Sequence, residues 1–171
     1  MLQALIFVVF PFCMVFAAVS DMLSMTIANR VSVILIATFA VAAPLTGMPW
    51  SEFAWHFAAF GLVLAITFSL FAMGGMGGGD AKLMASTALF MGFGMELVQY
   101  VLISALLGGG LTLALISYRK SALAVFTNQN MFMRHFANEE AGVPYGIALG
   151  VGGLLTFPSS PLMIWALAQY A

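Results

Sequence analysis

Six runs of apolar residues, each close to the ~20 residues that a helix needs to cross a bilayer, decide what this chain can fold into. They cover roughly 2 to 20, 31 to 49, 53 to 73, 81 to 95, 97 to 117 and 143 to 169, separated by polar or glycine-rich connections. Soluble domains carry about 25% charged residues; here 63% of the residues are hydrophobic and 6% are charged. A soluble fold of 171 residues cannot hide that much apolar surface, whereas a bilayer accepts it. The chain is read as a single all-α membrane domain, residues 1–171, forming a bundle of about six transmembrane helices.

The first run lies at the very N-terminus, as a signal peptide would. A signal peptide carries its positive charge ahead of the apolar core, whereas the first basic residue here is Arg30; the run is therefore read as a retained helix. Threaded alternately through the membrane, the six runs put Arg30, Lys82, Arg119, Lys120 and Arg134 on one side and Glu52 and Glu96 on the other. Cationic loops stay cytoplasmic, so both termini are expected on the periplasmic side of a bacterial inner membrane. The net charge of −1 offers no basic stripe for nucleic acid. The single cysteine, Cys13, excludes an intrachain disulfide and is read as a packing or lipid-facing residue.

Two carboxylates stand out in this frame. Asp21 closes the first run and Asp80 opens the fourth, which places both at the cytoplasmic rim although 59 positions separate them. Ionisable groups at membrane depth are expensive and face a bundle interior. The competing reading is that both merely cap helix ends, since an acid in the first turn suits the helix dipole. The fourth run is short: the stretch from Asp80 to Gly92 covers only ~21 Å of a hydrocarbon core ~30 Å thick. Ahead of Asp80 stands Met73-Gly74-Gly75-Met76-Gly77-Gly78-Gly79, whose glycines allow close backbone approach and angles closed to other residues.

Gly77-Gly78-Gly79-Asp80, with Lys82 two positions on, resembles the Gly-x-Gly-Asp signature of the type IV prepilin leader peptidases, which are membrane aspartic peptidases. Asp21 followed by Ile27-Ala28-Asn29 is similar to the family's first aspartate and its Ile-Pro-Asn segment, with Ala28 in place of the proline. Val143-Pro144-Tyr145-Gly146 is similar to the family's Pro-aromatic-Gly start of the last helix. The resemblance implies catalysis by Asp21 and Asp80, supporting or substrate-binding roles for Gly77, Gly78, Gly79, Lys82, Asn29, Pro144 and Gly146, and neither cofactor nor metal. It implies a prepilin substrate with a short basic leader ending in glycine and an apolar helix lodged in the lipid. The connection from Asp21 to Arg30 has no room for the cysteine-rich insertion of long forms. The chain therefore resembles the short form associated with tight-adherence (Flp-type) pili, and methyltransferase activity is not expected.

The remaining polar residues suggest less. His56 and His135 fall on opposite sides of the membrane without ligand spacing. Glu139 and Glu140 are adjacent and diverge on a helix. The connection 121 to 142, with Phe126, Met131, Met133 and Phe136, reads as a surface-lying connector or an interfacial helix. Two other functions remain open: a small proton-coupled transporter and a non-catalytic assembly subunit of a pilus or secretion machine. A transporter needs a polar path through the bilayer, and none is evident deep in the second, third or fifth runs.

The orientation is testable in a Cys13→Ala background. A cysteine at Gly47 should react with a membrane-impermeant thiol reagent applied from the periplasmic side, and one at Lys120 only after the cells are opened. The reverse pattern refutes the topology.

Overall fold

The computed structural model describes residues 1–121 and 142–169, so the expectations for Arg134, His135, Glu139, Glu140 and the 121 to 142 connection lie largely or wholly outside the described residues. In chain order the helices are α1 (Leu2–Ser24), α2 (Asn29–Leu45), α3 (Trp50–Ala72), α4 (Gly78–Met91), α5 (Met95–Arg119), α6 (Tyr145–Thr156) and α7 (Pro161–Ala168), with a 3-10 turn at Phe157–Ser159 between the last two. No strand occurs among the described residues.

Each apolar run becomes helical, but the runs are not six equal spans. Helices α1, α3 and α5 are individually long and apolar enough to cross a membrane. The last run breaks into α6 and α7, bent by 47°, which together make a fourth. Pro158 and Pro161 account for the bend, since neither can donate a backbone hydrogen bond and each ring crowds the preceding turn. Three of the turns are made by glycines in the left-handed region: Gly47 (φ 83°), Gly74 (φ 76°) and Gly92 (φ 66°). Each follows or closes the last turn of a helix, where a Cβ would be strained.

The 14 residues of α4 are the shortest of the expected spans. Its reach of about 21 Å would expose backbone ends to hydrocarbon if it stood alone. It does not stand alone: Ala81, Leu83 and every residue from Ala85 to Met91 are buried, and α2, α3 and α6 pack around it. A helix sheathed by other helices need not match the bilayer by itself.

Opposite the N-terminus of α4 the bundle is closed by aromatic rings. Phe10 of α1 lies 4.7 Å from Phe90 of α4 and stacks at 4.1 Å on Phe157. Phe39 of α2 meets Phe90 at 5.5 Å and the His56 ring of α3 at 5.0 Å. His56 also donates from Nδ1 to the Leu89 carbonyl at 2.5 Å. Cys13 is buried against this core, which makes it a packing residue and not a lipid-facing one.

The structure corrects one expectation. Polar side chains are buried within the second, third and fifth runs: Ser32 and Thr38, His56 and Thr67, and Tyr100 and Ser104. Thr67 is satisfied by the Val63 carbonyl at 2.8 Å and His56 by the Leu89 carbonyl. Their hydropathy hid them, because single hydroxyls hardly lower the average of a strongly apolar run.

Phe39→Ala should cost roughly 3 kcal/mol, since it opens a cavity among α2, α3 and α4. Reversible unfolding in detergent measures it, and a loss below that of an exposed apolar residue such as Val41 would refute the aromatic cluster as the core.

Candidate active site

Asp21 sits in the last turn of α1, on the stripe Ile6, Phe10, Cys13, Met14, Ala17 that faces the bundle, and is only 5% exposed. The turn that follows is held locally. Met25 adopts the left-handed conformation (φ 52°) and donates to the Asp21 carbonyl at 2.8 Å. Ser24 Oγ donates to the Ser20 carbonyl at 2.7 Å and pairs with Thr26 Oγ1 at 2.8 Å. This folded corner delivers Ile27 inward, where it is 9% exposed.

The Asp21 carboxylate is gripped from the far end of the chain. The backbone N–H of Gly146, in the first turn of α6, donates to Asp21 Oδ2 at 2.7 Å. First-turn N–H groups have no partner inside their own helix, and the helix dipole adds to their attraction for an anion. A Cβ at position 146 would lie 2.8 Å from Asp21 Cβ, Asp21 Oδ2 and Ile27 Cδ1 alike, so only glycine fits. Pro144 is the buried N-cap residue that starts this helix. Tyr145 between them turns outward: its ring fills the space that a side chain at Gly108 would need, and its hydroxyl meets Thr112 Oγ1 at 3.2 Å.

Asp80 occupies the third position of α4, with Gly77 as N-cap. A carboxylate at that position reaches back to the N-cap N–H, as in one half of a capping box. Here Oδ2 folds over Gly77, where a Cβ would stand 2.6 Å away. The other two glycines of the motif are explained by packing: Gly79 lies against Ile27, whose Cβ would be 3.1 Å from an added methyl, and Gly78 against the Phe71 ring at 3.2 Å. The expectation of unusual backbone angles holds only at Gly74; Gly77, Gly78 and Gly79 serve clearance.

Ile27 touches the sites of both Gly79 and Gly146 and so wedges the two aspartate-bearing helices together. The charges of Asp21 and Asp80 act on one another at this end of the bundle. Lys82 and Asn29 stand apart from the pair. Lys82 Nζ donates to Asn29 Oδ1 at 2.9 Å, and the two share with Ser32, Val33, Ile36 and Phe60 the lining of a cavity of about 240 Å³. No hydrogen bond joins either to an aspartate among the described residues. They tie α4 to the start of α2. At the other end of the bundle Glu52, His56 and Glu96 line an open cavity of about 430 Å³, but no group of three ligating side chains is placed to hold a metal among the described residues.

Sequence reasoning had Gly146 only as part of a motif and did not single out Ile27 as a site residue. Both are contacts between segments far apart in the chain, for which no local signal exists.

A thermal unfolding comparison tests the glycine contact. Gly146→Ala should destabilise by about 1–3 kcal/mol through overpacking, while Gly109→Ala, where an added Cβ meets nothing within 4 Å, should not. Equal behaviour of the two would refute the contact.

A family model for the type IV leader peptidases matches residues 8–113, a stretch that holds both aspartates, the glycine run and Lys82 and stops short of Gly146. No curated protein and no solved structure matches the chain.

Proposed function

Because the chain belongs to the type IV leader peptidase family, we propose that it is an aspartic endopeptidase of the bacterial inner membrane whose catalytic pair is Asp21 and Asp80. The observation that carries the reading is the convergence of these two carboxylates, from different helices joined through Ile27, at one end of a largely apolar bundle. Helix capping explains Asp80 but not Asp21, which lies at a helix C-terminus where the dipole disfavours an acid.

Two neighbouring carboxylates cannot both ionise cheaply and share one proton. That state supplies a base and an acid together. One aspartate takes a proton from a water between them, the water oxygen bonds to the scissile carbonyl carbon, and the protonated partner polarises the carbonyl oxygen. As the C–N bond breaks, the proton passes to the departing amine. The Gly146 N–H, which donates to Asp21 Oδ2, favours the ionised form of Asp21.

The substrate is a Flp-type prepilin, cleaved after the glycine that ends its basic leader. With the site at the cytoplasmic face and both termini periplasmic, the leader stays in water and the apolar helix lies in lipid beside the bundle. A bond at the rim can be unwound at lower cost than one inside a membrane helix.

Membranes containing the protein, incubated with a prepilin-like substrate, test this directly. Asp21→Asn and Asp80→Asn should each slow cleavage at least about 100-fold while inserting normally. Cleavage by either variant at the wild-type rate refutes the pair; transport of protons lost in both variants, with no proteolysis by the parent, favours a transporter instead.

A further inference from the structure

The cavity of about 240 Å³ that Lys82 and Asn29 line carries polar groups of one kind only, hydrogen-bond donors. An ammonium has donors and no acceptor, so Asn29 turns Oδ1 to Lys82 Nζ, at 2.9 Å, and its own NH2 is left to donate elsewhere. The remaining Nζ donors have no partner among the described residues, and Lys82 forms no ion pair there. Ser32, the other polar lining residue, is 6% exposed, yet its hydroxyl makes no hydrogen bond among the described residues. Other hydroxyls of the bundle behave differently: Thr67, Thr87, Thr112 and Thr156 each donate to a carbonyl one turn earlier.

The rest of the lining is apolar: Val33 and Ile36 of α2 and Phe60 of α3. From Asn29 to Ile36, α2 runs about 10 Å away from the aspartate end, and Phe60 lies near the middle of α3. The cavity is therefore polar at the rim and apolar toward the membrane interior. Val33 is 63% exposed, so the cavity opens sideways to lipid. Helix α2 starts with neither a side-chain cap nor an acid in its first turn, which leaves the positive end of its dipole unanswered by any carboxylate of its own.

Donors without acceptors, a positive charge and an apolar floor fit an amphiphile with an anionic head. We propose that this cavity binds an anionic phospholipid from the leaflet at the aspartate end. Lys82 Nζ, the Asn29 NH2 and the Ser32 hydroxyl hold its phosphate, and the upper part of an acyl chain lies on Val33, Ile36 and Phe60. Basic pockets between membrane helices take up such headgroups. A soluble phosphate leaves the apolar walls uncovered, and an acyl chain alone leaves the buried Ser32 hydroxyl unsatisfied, which is costly. The bound phosphate bridges α2 to the first turn of α4, two positions after Asp80. The proposal needs membrane residence only and does not rest on the peptidase reading.

Native mass spectrometry of the detergent-purified protein, titrated with dioleoyl phosphatidylglycerol or dioleoyl phosphatidylcholine, tests the site. The anionic lipid should bind more tightly, and Lys82→Gln should weaken its binding about tenfold, the worth of one hydrogen bond to a charged group. Lys120→Gln, which removes an exposed cation at the end of α5, should leave that binding unchanged. Ser32→Ala deletes a hydroxyl that the described residues do not use, so the melting temperature of the lipid-free protein should hold while affinity for phosphatidylglycerol falls several-fold. Equal binding of the two lipids, or an equal loss in Lys82→Gln and Lys120→Gln, overturns the anionic site. Unchanged affinity in Ser32→Ala, or a lower melting temperature of its lipid-free form, overturns the placing of the headgroup in this cavity. Displacement of the lipid by an equal concentration of glycerol 3-phosphate overturns a lipid as the occupant. Should Lys82→Gln fail to fold, Ser32→Ala and the comparison of the two lipids decide the matter with the same overturning outcomes.

Discussion

One hydrogen bond organises the aspartate end of this molecule: the Gly146 N–H donating to Asp21 Oδ2 across 125 positions of sequence. It gives a buried carboxylate a partner that an apolar bundle otherwise lacks, and it sets where the last helix starts. Because a Cβ at 146 would collide with Asp21 and Ile27, the bond also requires α6 to approach α1 at backbone distance. Gly150 continues that approach, lying against the Met14 carbonyl. The α1–α6 contact is thus one strip of glycines pressed on one helix face, with the acid at its end.

Around this strip the other helices follow from two close approaches of opposite character. At the aspartate end, Gly77 and Gly79 remove side chains so that the Asp80 carboxylate can fold over its own N-cap and Ile27 can seat against α4. At the far end, large rings fill the space: Phe10, Phe39, Phe90 and Phe157 join α1, α2, α4 and the 3-10 turn. Small residues pull helices together where lipid supplies no hydrophobic drive between them, and aromatic rings hold them apart at a fixed spacing. The short α4 is positioned by both, and its burial on nearly all sides frees it from the bilayer's thickness.

A peptidase in this position has to admit water and a peptide to an apolar interior. Conventional soluble sites meet that need with a cleft; here the polar groups at the aspartate end are few, Asp21 and Asp80 with Thr87 two turns further along α4. Each is expensive in isolation, and Asp21 and Thr87 each have a partner of their own, the Gly146 N–H and the Leu83 carbonyl. The N–H that grips Asp21 belongs to a helix N-terminus, whose N–H groups need a partner in any case.

What the sequence by itself determined is what one helix or one turn can decide: residence in a membrane, glycine-closed turns at Gly47, Gly74 and Gly92, an acid in the first turn of α4, and the Gly-x-Gly-Asp motif that marks the family. Which residues meet was decided only by the tertiary structure. In a soluble protein, hydrophobic periodicity marks the inward face, but lipid is as apolar as the core. Along α1 the outward Val8, Phe12, Val15, Phe16 and Val19 are as hydrophobic as the inward Phe10, Met14 and Ala17. The pattern therefore could not tell that Asp21 would find Gly146, that Ile27 would wedge the pair, that Lys82 would turn to Asn29, or that Tyr100 and Ser104 would face inward. Those choices belong to packing between helices, which hydropathy does not record.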